Sequence, residues 1–282
     1  MKGQRSKGAS EERSLLTFFL LVFLLSIPIW VLGPVAERFL PEVLTANLPV
    51  SSLMFCVPVS ATVILVRRQG GSDAAKNLLK RALDYRRIRR KIWYIPILLL
   101  WPAMIVLEYV VMKLMGVPLP DPRLPGLMLP VSFALFFIAA LGEEVGWQGY
   151  AIDPLQQRWG AWTASIIVGI VWAAWHCVPF LQMDRTPTWI ACQGTSIVVA
   201  RIFTVWIYNN TGKSLFAAIL FHAMYNVATV LLPSYGWLYD PLVGLVITAV
   251  AAAIITFLWG PETLARFRYA GRRRDVHASA VG

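Results

Sequence analysis

Charge is scarce in this chain: of its 282 residues only 15% are Asp, Glu, Lys or Arg, while 57% are hydrophobic. That shortage excludes an ordinary soluble domain, where about a quarter of the residues are charged. Acidic residues are the scarcest, 15 against 26 basic ones, for a net charge of +11. A basic excess points to nucleic acid only where a soluble fold shows a basic face. Here the positive residues are bunched in a few hydrophilic stretches between apolar runs, so no nucleic-acid partner is expected. Cysteine is almost absent. Cys56, Cys177 and Cys192 lie in or beside apolar stretches without CxxC spacing, which excludes a disulfide framework and a thiolate metal site and leaves packing as their use. The chain has no HExxH, no repeat of fixed period and no stretch resembling a separate soluble domain.

What is present is long apolar runs, 12 Trp and a mean hydropathy of +0.61, the profile of a polytopic membrane protein. About 20 apolar residues cross the hydrocarbon core. By that measure spans fall at about 15–35, 48–66, 92–115, 129–152, 162–181, 189–208, 215–232 and 238–258, eight in all. The first run is long and lacks a small-residue cleavage pattern, so it reads as a span and not as a signal peptide. The expected architecture is an all-α transmembrane helix bundle of about eight spans with both termini cytoplasmic, an integral, multi-pass protein of the cell membrane. Residues 1–14 form an N-terminal tail, 15–260 a single transmembrane domain with its core at about 129–232, and 261–282 a basic C-terminal tail.

Orientation follows from the basic residues. The segment 67–91 carries ten Lys or Arg against Asp73 and Asp84, and the tail adds Arg266, Arg268, Arg272, Arg273 and Arg274. With the N-terminus inside, both lie in the cytoplasm, as the positive-inside rule requires. Within 67–91, Leu78, Leu79, Ala82, Leu83 and Tyr85 form one face of a short helix on the anionic inner leaflet, or else the segment is a solvated loop.

Polar side chains inside spans are few: Glu108, Glu143 with Glu144, His176, Arg201, and His222 with Asn226. Each charged one costs roughly 2.5–3.5 kcal/mol at the centre of an inserted helix, which asks for a reason. Trp172 and His176 are four apart on one helix face, as are His222 and Asn226, and Glu144 and Gln148. His222 stands nine residues beyond Lys213, about 14 Å along a helix, a depth that Glu143 and His176 also reach. Three uses of such a layer are open. A glutamate and a histidine can activate water against a carbonyl, with a second histidine and an asparagine donating to the oxyanion. Glu143, His176 and His222 can ligate zinc. The residues can also join helices by hydrogen bonds. Arg201 has two candidate partners, the carboxylate pair and Glu108.

The segments Glu143-Glu144-Val145-Gly146-Trp147-Gln148, Trp172-Ala173-Ala174-Trp175-His176 and His222-Ala223-Met224-Tyr225-Asn226 resemble the motifs of the CPBP family, the CAAX-protease and bacteriocin-processing group also called Abi. The approach from Thr211-Gly212-Lys213-Ser214-Leu215 to Phe221 is similar too. The family's motifs are Glu-Glu-x-x-x-Arg, Phe-x-x-x-His and His-x-x-x-Asn, in this order, over about 129–232. The resemblance implies an intramembrane glutamic endopeptidase without a metal or other cofactor, acting on a membrane-associated protein or peptide. It implies Glu143 as general base, His176 as the residue orienting water with it, His222 and Asn226 as the oxyanion hole, and Glu144 in support. Two positions depart from the pattern. Trp172 replaces Phe and preserves a bulky aromatic wall. Gln148 replaces Arg and offers hydrogen bonds without charge, so Glu144 is expected to stay protonated unless another cation reaches it. The site is expected to open toward the cytoplasmic leaflet. The alternatives are a non-catalytic binding or immunity protein using the same polar cavity, and a zinc-dependent membrane hydrolase.

Overall fold

The computed structural model describes residues 2–40, 49–119, 126, 128–231, 240–265 and 267; the Arg266 to Arg274 cluster and His277 lie outside them. The described residues contain no strand. The helices are α1 (Lys2–Glu37), α2 (Cys56–Ala82), α3 (Tyr94–Leu114), α4 (Met128–Gly146), α5 (Ile152–Gln182), α6 (Pro187–Asn210), α7 (Leu215–Leu231) and α8 (Pro241–Trp259). Six helical stretches are long and apolar enough to cross a membrane, and Leu215–Thr229 is a shorter apolar one. This is the expected all-α polytopic bundle. Its perimeter is apolar: on α8, Leu242, Val246, Val250, Ile254 and Phe257 recur every three or four residues along one exposed stripe. Such a face suits lipid and no aqueous phase.

One of the six stretches, Leu129–Gln182, holds two of the expected spans in 54 residues. Drawn straight, 29 residues of helix would separate Glu143 from Trp172 by about 43 Å at 1.5 Å per residue, yet their side chains touch at 2.6 Å. The reversal is at Gly160, whose φ of 77° and ψ of 165° lie in a region essentially closed to residues with a Cβ. Backbone bonds from Ala161 N–H and Trp162 N–H to the carbonyls of Glu262 and Pro261 hold the bend against the segment that follows α8. Between α4 and α5, residues Trp147–Ala151 form a π-helical turn. Such turns are frequent at functional sites, and this one begins three residues after Glu144.

Gly142 and Gly146 share the face of α4 that meets the start of α2. A Cβ on Gly142 would lie 2.6 Å from the Phe55 carbonyl oxygen, and one on Gly146 would lie 2.7 Å from Pro58 Cβ. The pair is a small-xxx-small contact that lets two transmembrane backbones approach closely. Gly142→Ala is therefore expected to lower stability by about 1–3 kcal/mol through overpacking, seen as a reduced Tm in detergent.

The basic segment is helical and bound to the bundle. After a break at Gly71 the helix resumes, burying Ala75, Leu78 and Ala82 against Leu215, Ile219 and Ala223. Leu79, Leu83 and Tyr85 are exposed. The buried face thus follows the spacing 75, 78, 82, and the other apolar residues fall on the next stripe. Arg81 Nη2 donates to Tyr208 Oη at 3.3 Å, Tyr208 Oη to Asp153 at 3.1 Å, and Lys213 Nζ pairs with Asp153 at 2.8 Å. These contacts close one end of the bundle with a polar network.

Candidate active site

Glu143, Glu144, His176, His222 and Asn226 converge from α4, α5 and α7, although they are distant in sequence. Consecutive residues on a helix point about 100° apart, so the two glutamates take different surroundings. Glu143 lies on the wall of a cavity of about 410 Å³, together with His176 and Asn226. Glu144 points into the protein and is fully buried.

Around Glu143 the decisive neighbour is Trp172. Its indole Nε1–H donates to Glu143 Oε2 at 2.6 Å. The sequence reading of Trp172 as an aromatic wall is therefore too modest: the ring is a wall, and its N–H holds a carboxylate oxygen, which a phenylalanine could not do. His176 is fixed by its own helix. Its Nδ1 lies 2.9 Å from the Trp172 carbonyl, which can only accept, so Nδ1 carries the hydrogen and Nε2 keeps its lone pair in the neutral ring. Edge-on contacts with Trp172 and Trp175, at 5.4 and 5.1 Å between centroids, set the plane of that ring.

Around Glu144 the charge balance differs from the sequence expectation. Arg201 Nη1 lies 2.7 Å from Oε2 and His222 Nδ1 2.9 Å from Oε1, both buried. Arg201 thus reaches Glu144 from α6, and the carboxylate is not short of a cation despite Gln148. It is not paired with Glu108, which borders a separate small cavity with Gln193, Tyr225 and Thr248. The guanidinium also lies over the Trp172 ring, 4.3 Å from its centroid, a distance at which a desolvated cation–π contact is worth about 2 kcal/mol. Trp172 accordingly touches both halves of the site, with its N–H on Glu143 and its face under Arg201. Gln148 is buried, and both ends of its amide are without a hydrogen-bond partner.

His222 is set one layer behind the cavity wall, 5% exposed, with its ring edge-on to Trp172 at 5.3 Å. The trio considered for zinc is therefore split, Glu143 and His176 at the cavity and His222 on Glu144. Among the described residues no group of three His, Cys, Asp or Glu side chains is placed to share a metal ion.

Residues 125–228, which contain all these side chains, match the family described as type II CAAX prenyl endopeptidase Rce1-like. The chain is also 30% identical over 186 residues to CAAX prenyl protease 2 of Methanococcus maripaludis, covering 60% of this chain and 67% of that protein. The chain belongs to the CPBP family. As a CPBP protein it is an integral, multi-pass membrane protein of a protease family. In and around the CPBP motifs, the residues that sequence reasoning undervalued are Trp172, Arg201 and the pair Gly142 and Gly146. The signals were present: an added indole N–H one turn from His176, an arginine in the middle of a span, and a Gly-x-x-x-Gly frame around the two glutamates.

Beyond Glu143 the cavity is lined by residues just past α1 (Leu40), the stretch before α2 (Leu53, Phe55), the first half of α4 (Phe136), and the ends of α5 (Met183) and α7 (Thr229). This is the end of the bundle opposite the Asp153–Lys213–Arg81 network. The basic segment 67–91 and these lining residues thus lie at opposite ends of the bundle.

Proposed function

We propose that the protein is a metal-independent intramembrane glutamic endopeptidase in which Glu143 activates water. The observation that carries this reading is the position of Glu143: a carboxylate on the wall of an apolar cavity, held at one oxygen by Trp172 and flanked by His176. Its other oxygen accepts a proton from a water that His176 Nε2 helps to orient, and the water oxygen bonds to the substrate carbonyl carbon. The carbonyl oxygen takes up the negative charge beside Asn226 and His222, one turn apart on α7. Glu144 serves His222 as a buried carboxylate serves a catalytic imidazole, accepting from Nδ1–H and fixing the ring beside the oxyanion. When the carbon–nitrogen bond breaks, the proton on Glu143 passes to the leaving amine. The name of the archaeal relative supports a substrate anchored at the membrane, and the cavity's apolar walls suit a hydrophobic segment around the cut.

The test is a comparison of membrane proteomes from cells expressing wild type or Glu143→Gln. Uncut precursors are expected in the variant, and identical proteomes would favour a binding protein. Cleavage by purified protein is expected to survive a zinc chelator; activity lost on chelation and restored by zinc would favour the hydrolase reading instead. Trp172→Phe keeps an aromatic ring, smaller than the indole, and removes the N–H. A hydrogen bond to a charged group contributes about 1.5–3 kcal/mol, so kcat is expected to fall roughly 10- to 100-fold, and the smaller ring beside Arg201 and His222 is expected to lower Tm as well.

A further inference from the structure

We infer that the cavity opens on the extracytoplasmic side of the membrane, and that the substrate reaches Glu143 from there as an apolar, uncharged segment. The inference rests on the endopeptidase reading for its chemistry, and on charge and geometry for its direction. At the closed end lie the ten basic residues of 67–91, with Arg158 and Lys213 near them. At the mouth end the described basic residues are Arg38, Lys113 and Arg185, two of them next to an acid, Glu37 and Asp184. Lys and Arg concentrate in cytoplasmic loops because they resist transfer across the membrane, and a contrast this large sets the closed end inside. The elements then alternate without conflict: α1 and α5 end at the mouth, α2 and α4 begin there, and α7 ends there beside Thr229.

The lining gives the chemistry of the occupant. Apart from Glu143 and His176, the described walls are uncharged and mostly apolar, with Leu53, Phe55, Phe136, Phe180 and Met183 among them. No Lys or Arg lies among the described lining residues to pair with a free C-terminal carboxylate. The cavity is therefore suited to an internal bond within an apolar stretch at the outer leaflet, and poorly suited to a charged chain end.

Two measurements on the full chain in cells test this. With Cys56, Cys177 and Cys192 replaced by serine, Arg38→Cys is expected to react with a membrane-impermeant maleimide applied outside, and Ser72→Cys only in inverted vesicles. The reverse pattern overturns the inference. In the second, one apolar cleavable segment is fused to a membrane anchor at either its outer or its inner face. Wild type is expected to cut the outer reporter alone, and Glu143→Gln neither. Cutting of the inner reporter, alone or with the outer one, overturns the inference and leaves the endopeptidase reading standing. Cutting of neither reporter by wild type sinks the endopeptidase reading and the substrate assignment with it, while the labelling pattern still decides the side.

Discussion

Glu143→Gln is expected to reduce the rate of peptide cleavage roughly 10²- to 10⁴-fold, the range over which a positioned general base contributes, with the fold intact. The substitution is nearly isosteric. The amide oxygen can still accept from the Trp172 indole, and the new side chain would face the same cavity, so packing around it is unchanged. What is lost is the ability to take a proton from water. The control is Tm in detergent, which should stay near wild type. Glu144→Gln should behave differently, because Glu144 is buried and bonded to Arg201 and His222. Removing its charge strands a guanidinium as well as loosening an imidazole, so activity and stability fall together. A Glu143→Gln variant that keeps more than about a tenth of the rate would remove Glu143 from the role assigned to it.

Arg201→Met should cost the protein about 3–5 kcal/mol, the usual result of deleting one partner of a buried ion pair. The methionine fills part of the volume and can lie on the Trp172 ring, but Glu144 is left with His222 alone. The expected signs are a large drop in Tm and poor recovery of folded protein in detergent. The informative measurement is rescue. Gln148 lies one helical turn from Glu144, buried and without hydrogen-bond partners, so Gln148→Arg places a guanidinium within reach of the same carboxylate. The double variant should regain much of the lost stability, and Gln148→Arg alone should add little where Arg201 already holds the charge. Tm values of the four proteins form a double-mutant cycle. Independent, additive effects would show that the two positions do not serve one carboxylate.

Much of this arrangement is legible in the sequence because the membrane makes polar residues conspicuous. Glu143, His176 and Asn226 stand out within apolar runs, and their helical spacing is enough to expect a shared layer. Distance along the chain is what hides the rest. Nothing local to Glu144 shows that its cation comes from α6, since Arg201 lies 57 residues away and Glu108 is an equal candidate until the helices are packed. Trp172 is hidden differently. An aromatic residue in a membrane helix reads as packing, and only the fold reveals that its N–H meets a carboxylate. The direction of the mouth escapes because span counting says which ends of the helices share a side and nothing of where the bundle gapes.

The route of the counter-charge also bears on how the protein is made. An arginine at position 148 would enter the bilayer in the same helix as the carboxylates and offset them at once. Here α4 is synthesised with two glutamates and no cation of its own, at roughly 2.5–3.5 kcal/mol for each charge at the centre of a span. Relief arrives only when α6 is synthesised and docks. Until then the first half of the core has reason to linger at the insertion machinery, or to enter with protonated carboxyl groups. A chain cut short between α5 and α6 should accordingly insert α4 poorly, and become competent only when the segment bearing Arg201 has joined it.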